Sequence, residues 1–165
     1  MAGVDFMFNI GRGSLKYYYY AVKNALVVTA GQFTSGATAA FVLVPIETTA
    51  IEADGTLRDY DDLASLIAGV SNEQTNQARK VLVAADLAAL PAPDDTNERQ
   101  DLDFPDVTYT ALAGNAIGKI VVGFRPLTAS GDAAIIPLFA QAVTLTPDGN
   151  DVVYTPNAAG VWRSS

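Results

Sequence analysis

The chain has 165 residues, a formal net charge of −8 and a pI near 4.3; half of its residues are apolar and only 17% are charged. That is enough apolar material for one packed domain and argues against disorder, while the acidic balance opposes a nucleic-acid or anionic-membrane surface. With no histidine and no cysteine, imidazole bases, thiolate nucleophiles, disulfides, zinc knuckles and iron–sulfur sites are excluded.

The opening MAGVDFMFNIGRG carries Asp5 at its front and no long apolar run, so neither a signal peptide nor a membrane span is expected there. Phe6, Phe8 and Ile10 alternate with Met7 and Asn9; Gly11-Arg12-Gly13 then allows a bend, and Leu15 and Tyr17, Tyr18, Tyr19 and Tyr20 follow. Read as a strand, the run puts Tyr17 and Tyr19 on one face and Tyr18 and Tyr20 on the other, so both faces need partners. Two readings remain open, a two-sided strand inside the domain and a strand between the core and a neighbouring chain. The aromatic surface exceeds what one face of a small domain absorbs, so residues 1–23 are expected to form an extended arm or outer strand. Its expected interface residues are Phe6, Phe8, Ile10, Arg12, Leu15 and Tyr17 to Tyr20. Residues 24–165 are expected to form a single β-rich domain.

Ala25–Ala30 and Ala40–Ile46 are apolar, β-branched runs separated by GQFTSGAT, which predicts a hairpin between them. One helix is expected over TLRDYDDLASLIAG. There Leu57, Tyr60, Leu63, Leu66 and Ile67 share a face, Thr56 or Asp59 can cap the start, and Gly69 can end it. Ala78–Val83 reads as a strand, and Ala84–Leu90 as one or two helical turns stopped by Pro91 and Pro93. Leu102–Leu112 reads as a strand with Pro105 at an edge or bulge. Ile117–Phe124, Ala134–Phe139 and Ala142–Thr146 complete the set, and Thr-Pro-Asp-Gly-Asn-Asp should turn the chain back into Val152–Thr155. The fold class is therefore mainly β (α+β), an antiparallel sandwich or barrel-like domain with one short amphipathic helix.

Charge is unevenly distributed. Residues 1–25 carry Arg12, Lys16 and Lys23 against Asp5, whereas residues 47–106 carry fourteen acids against four bases. Asp94, Asp95, Glu98, Asp101, Asp103 and Asp106 form the densest acidic group, but the glycine and closing glutamate of an EF-hand are missing, so no metal is expected. Gly11-Arg12-Gly13-Ser14 lacks the rest of any phosphate-loop or dinucleotide pattern, and Asp61 and Asp62 point about 100° apart on a helix. No catalytic residue, cofactor or enzymatic activity is expected from these patterns.

The segments TLRDYDDLASLIAG, ARKVLVAADLAALPAPDDTNERQDLDFPDVTYT, GNAIGKIVVGF and VTLTPDGNDV together resemble, in that order, a family of small proteins encoded among the virion genes of tailed bacteriophages. FNIGRGSLKYYYYAV resembles their opening, whereas GQFTSGATAA at 31–40 departs from it. The resemblance implies a virion structural protein assembled in the host cytoplasm, most simply a capsid decoration or cement subunit whose partner is the major capsid protein. It also implies a homo-oligomer, with a trimer favoured where three capsomers meet. A tail or head–tail connector component, and a carbohydrate- or receptor-binding β-sandwich, are the alternatives.

Overall fold

Long runs of β-branched and aromatic residues set the frame of the molecule. The computed structural model describes residues 6–8, 15–24, 26–29, 32–35, 39–69, 71–87, 96, 100–102, 104–128, 130–156 and 162–164. In chain order the elements are β1 (Phe6–Met7), α1 (Leu15–Lys23), β2 (Leu26–Thr29), β3 (Gln32–Ser35), β4 (Ala40–Glu47), α2 (Asp54–Leu57), α3 (Leu63–Ala68), β5 (Lys80–Leu82), β6 (Gln100–Leu102), β7 (Val107–Tyr109), β8 (Ile117–Arg125), β9 (Ile136–Leu145), β10 (Val152–Tyr154) and β11 (Trp162–Ser164); a 3-10 turn over Asp132–Ala134 precedes β9. The protein is mainly β, and among the described residues every strand pair is antiparallel.

The principal sheet has the order β1-β9-β8-β4-β5, and three two-stranded ribbons pair β2 with β3, β6 with β11 and β7 with β10. The two longest ladders, β4–β8 and β8–β9, form the middle of the sheet. Register shifts between Ile117 and Lys119 and between Val122 and Gly123 interrupt the β8–β9 ladder; such bulges bend a strand and increase its twist.

Both faces of the sheet are buried, which explains why β4 reads AFVLVPIE without alternation. Phe41, Leu43, Ile120, Val122, Phe124 and Leu138 face one core with Tyr19, Phe104, Tyr109 and Tyr154. Val42, Val44, Ile46 and Val121 face the other, where Leu57, Leu63 and Leu66 from α2 and α3 cover them and Phe8 and Ile135 join. α1 with β7 and β10 thus lies over the first face, and the two short helices over the second.

Several expectations are corrected. The helix expected across TLRDYDDLASLIAG is two helices. Tyr60, in the break, donates its hydroxyl to both Glu52 carboxylate oxygens at 3.1 Å. Asp62, not Thr56 or Asp59, is the cap, accepting from the Ser65 N–H at 2.8 Å. Gly69 does close α3. Residues 26–29 pair with 32–35 rather than with β4, because the eight-residue β4 is sandwiched between β8 and β5. The Leu102–Leu112 run is divided between β6 and β7, with Pro105 in the segment between them. Ala134–Phe139 and Ala142–Thr146 merge into the single strand β9, and the return strand β10 leaves it to pair with β7. Of Ala84–Leu90, residues 84–86 form a turn closed by Asp86 N–H on the Val83 carbonyl at 2.9 Å; residues 88–90 lie outside the described residues.

Candidate protein interface

The expected interface residues fall into two places. At the sheet edge, Phe6 pairs with Ala140 and Met7 with Phe139, so β1 is an outer strand of the protein's own sheet. Phe8, one residue on, is fully buried in the second core and donates its N–H to the Leu138 carbonyl at 3.0 Å. Ile10 and Arg12 lie outside the described residues.

The second place is α1, and here the strand reading of Tyr17 to Tyr20 is corrected. Leu15–Lys23 contains no glycine or proline and is helical, with Lys23 in the last turn where a cation opposes the negative end of the helix dipole. Helical geometry sends four adjacent tyrosines to different environments. Tyr19, Ala21 and Val22 are fully buried. Tyr19 packs its ring edge-on against Phe104 at 5.8 Å and tilted against Phe41 at 6.2 Å. Tyr18 is half-buried and stacks on Phe124, ring centroids 4.2 Å apart, and burial followed by the neighbouring Tyr17 raises its pKa. Tyr17 and Tyr20, three residues apart, face outward and are 37% and 46% exposed.

α1 is held in this orientation at its end as well as along its side. Lys23 Nζ donates to the carbonyls of Ala84 at 3.3 Å and Leu87 at 2.6 Å, just beyond β5. The Asn24 side chain and backbone N–H both donate to the Tyr20 carbonyl, at 2.9 and 3.1 Å, closing the last turn. The outward tyrosines are therefore mounted on a helix fixed to β4, β8 and the end of β5.

The carboxylates of the described residues work mainly on their own chain. Arg79 donates from Nε and Nη2 to Glu73 at 2.7 and 2.6 Å and from Nη1 and Nη2 to Asp132 at 2.5 and 2.9 Å, tying the approach to β5 to the 3-10 turn. This double fork holds the Asp132 carboxyl below the ordinary carboxylate range and raises the Arg79 pKa, chiefly through Glu73. Lys119 donates to Asp54 at 2.8 Å. Glu52 accepts from Tyr60 and Ser71, and burial followed by the Glu52 hydrogen bond raises the Tyr60 pKa. An open groove of about 440 Å³ beside them is lined by Ala53, Gly55, Thr56, Asp59 and Tyr60.

Of the acidic group at 94–106, Asp106 is exposed and Asp101 lies on β6, while Asp94, Asp95, Glu98 and Asp103 lie outside the described residues. Among the described residues, no group of three or more acidic, histidine or cysteine side chains is gathered for a metal. Nor, among the described residues, is any helix long and apolar enough to cross a membrane.

Sequence reasoning missed the fixed, helical mounting of the tyrosines. The signal available was the three-residue interval between Tyr19 and Val22, which the equally aromatic outward positions masked. No family model, curated protein or solved structure matches the chain.

Proposed function

We propose that this chain is a structural subunit of a tailed-phage virion, a capsid decoration or cement protein that works by binding the major capsid protein rather than by catalysis. The observation that carries the reading is the pair Tyr17 and Tyr20, exposed on a helix whose other side is locked into the core. Tyrosine presents large contact area with few rotamers to freeze, and a rigid mounting lowers the ordering cost of association further. Aromatic anchors of this kind commonly dominate interface energy. The ordered resemblance of residues 56–165 to phage virion proteins supplies the class of partner, and the absence of histidine and cysteine fits a binding role.

The test uses heads that lack the native copy. The Tyr17→Ser/Tyr20→Ser protein, mixed with such heads and sedimented, is expected to bind at least tenfold more weakly than the parent while keeping the parent's melting temperature. Undiminished binding would overturn the role of α1. Truncating residues 2–14 is a poorer test, because it removes β1 and the fully buried Phe8. Virion images separate the capsid reading, with icosahedral copies, from a tail component on the tail axis.

A further inference from the structure

Of the basic residues whose side chains the structure describes, Arg125 alone has no hydrogen bond, ion pair or ring contact within the described residues. Lys23 bonds two carbonyls, Arg79 two carboxylates and Lys119 Asp54, while the ammonium of Lys80 lies 5.4 Å from the centre of the Tyr109 ring. Arg58 is engaged within the chain as well. Arg125, the last residue of β8, has no carboxylate on it among the described residues, and its Nε is buried without a hydrogen-bond partner. A guanidinium N–H withdrawn from water with no acceptor carries a desolvation cost.

The surroundings of Arg125 define a surface. Val121 faces the second core, and a Cβ placed on Gly123 would meet Ile135 of that core at 2.7 Å, so alternation along β8 sets Arg125 toward the same side. Arg125 pairs with Ala40 of β4, and on the far side of β4 Leu82 pairs with Phe41. Leu82 faces the first core, so Val81 and Val83 flank it toward the second. They are 40% and 43% exposed, and Leu127, two residues beyond Arg125, is 40% exposed. This end of the sheet thus presents a guanidinium beside three exposed aliphatic side chains.

An unengaged carboxylate lies at the same end. The Leu63 N–H donates to the Ile135 carbonyl at 2.9 Å, and Ile136 pairs with Phe124, so the break between α2 and α3 sits at the Arg125 end over the same face. Asp61, in that break, is exposed; the cap is its neighbour Asp62, and among the described residues no donor is bonded to Asp61. One end of one face therefore carries an unpaired positive group and an unpaired negative group that do not meet within the chain. A two-fold axis through that end brings each opposite the other's counterpart, the reciprocal arrangement an isologous contact requires.

We propose that the Arg125 end of the sheet is a self-association surface on which a second copy of this chain docks about a two-fold axis, Arg125 of each copy meeting Asp61 of the other, with Val81, Val83 and Leu127 covered around the pair. This contact is a two-fold one, unlike the trimer expected from capsomer geometry. It lies on the side of the sheet opposite α1, away from Tyr17 and Tyr20, and it stands whether or not the chain binds a capsid.

The experiment is sedimentation equilibrium of the full chain across a concentration series, with melting curves run in parallel. The parent is expected to dimerise. Arg125→Glu and Asp61→Arg, each of which places like charges together in both reciprocal contacts, are expected to weaken self-association at least tenfold without lowering the melting temperature. Mixed one to one, the two variants should regain the parent's association, since each contact then pairs opposite charges. Leu127→Ser, at an exposed position, provides a charge-independent variant and should weaken the dimer as well. A parent that stays monomeric throughout, an Arg125→Glu protein that associates like the parent, or a mixture that stays apart overturns the proposal; so would capture of the Arg125 surface by a different acidic protein in place of a second copy.

Discussion

Tyr109 is fully buried in the first core, its hydroxyl has no hydrogen-bond partner among the described residues, and burial raises its pKa. An unpaired buried hydroxyl opposes folding by roughly 1–3 kcal/mol, whereas the ring packs in the core. Tyr109→Phe is therefore expected to leave stability unchanged or to raise it by up to about 1 kcal/mol, read from urea unfolding; a loss of more than about 1 kcal/mol would show that the hydroxyl has a partner. Asp132 presents the opposite case. Its carboxyl gives up its proton more readily in the folded chain, through the hydrogen bonds from Arg79. The stability it contributes is therefore complete above the ordinary carboxylate value of about 3.9 and is lost as pH falls through its lower folded value. Asp132→Asn should be less stable than the parent at pH 6, with the gap closing toward pH 2; a gap independent of pH would mean that the Arg79 clamp is not what Asp132 supplies.

At the scale of elements, α1 makes the sharpest claim. Tyr19→Ala empties a fully buried aromatic position and is expected to cost about 3–5 kcal/mol. Tyr20→Ala, one residue on, removes an exposed ring and should stay within about 0.5 kcal/mol. A strand buried on both faces would make the two substitutions comparable, so the pair of denaturation midpoints separates the helix from the strand. The same helix shows where the sequence is readable and where it is not. β4 and β8 are legible as apolar, β-branched runs because both their faces are buried. The tyrosine run is not, because outward Tyr17 and Tyr20 are as aromatic as inward Tyr18 and Tyr19, leaving no polar positions to mark a period. The interval over 57–69 has the right period, yet the hydrogen bonds from Tyr60 to Glu52 and from Ser65 to Asp62 divide it in two. Strand identity was thus local information, while pairing was not: nothing around Val152 indicates that it joins Val107–Tyr109 and not the strand immediately before it. Of the interface, Tyr17 and Tyr20 were visible by residue type, whereas the isolation of Arg125 depends on where the acids of the whole chain end up.

For the molecule as a whole, the principal sheet is assembled almost entirely from strands distant in sequence, apart from the β8–β9 neighbours. Loop closure over such separations slows folding, so refolding from urea is expected in the range of milliseconds to seconds; single-digit microsecond folding in a temperature-jump experiment would contradict the topology. The pairing of Phe6 with Ala140 also has a consequence in time during synthesis. The residue opposite Phe6 is added some 130 residues later, which at about 5–20 residues per second is roughly 7–26 seconds. Throughout that interval the chain carries Phe8 already made and its seat beside Leu138 not yet translated, so the edge of the sheet stays open until β9 has been synthesised.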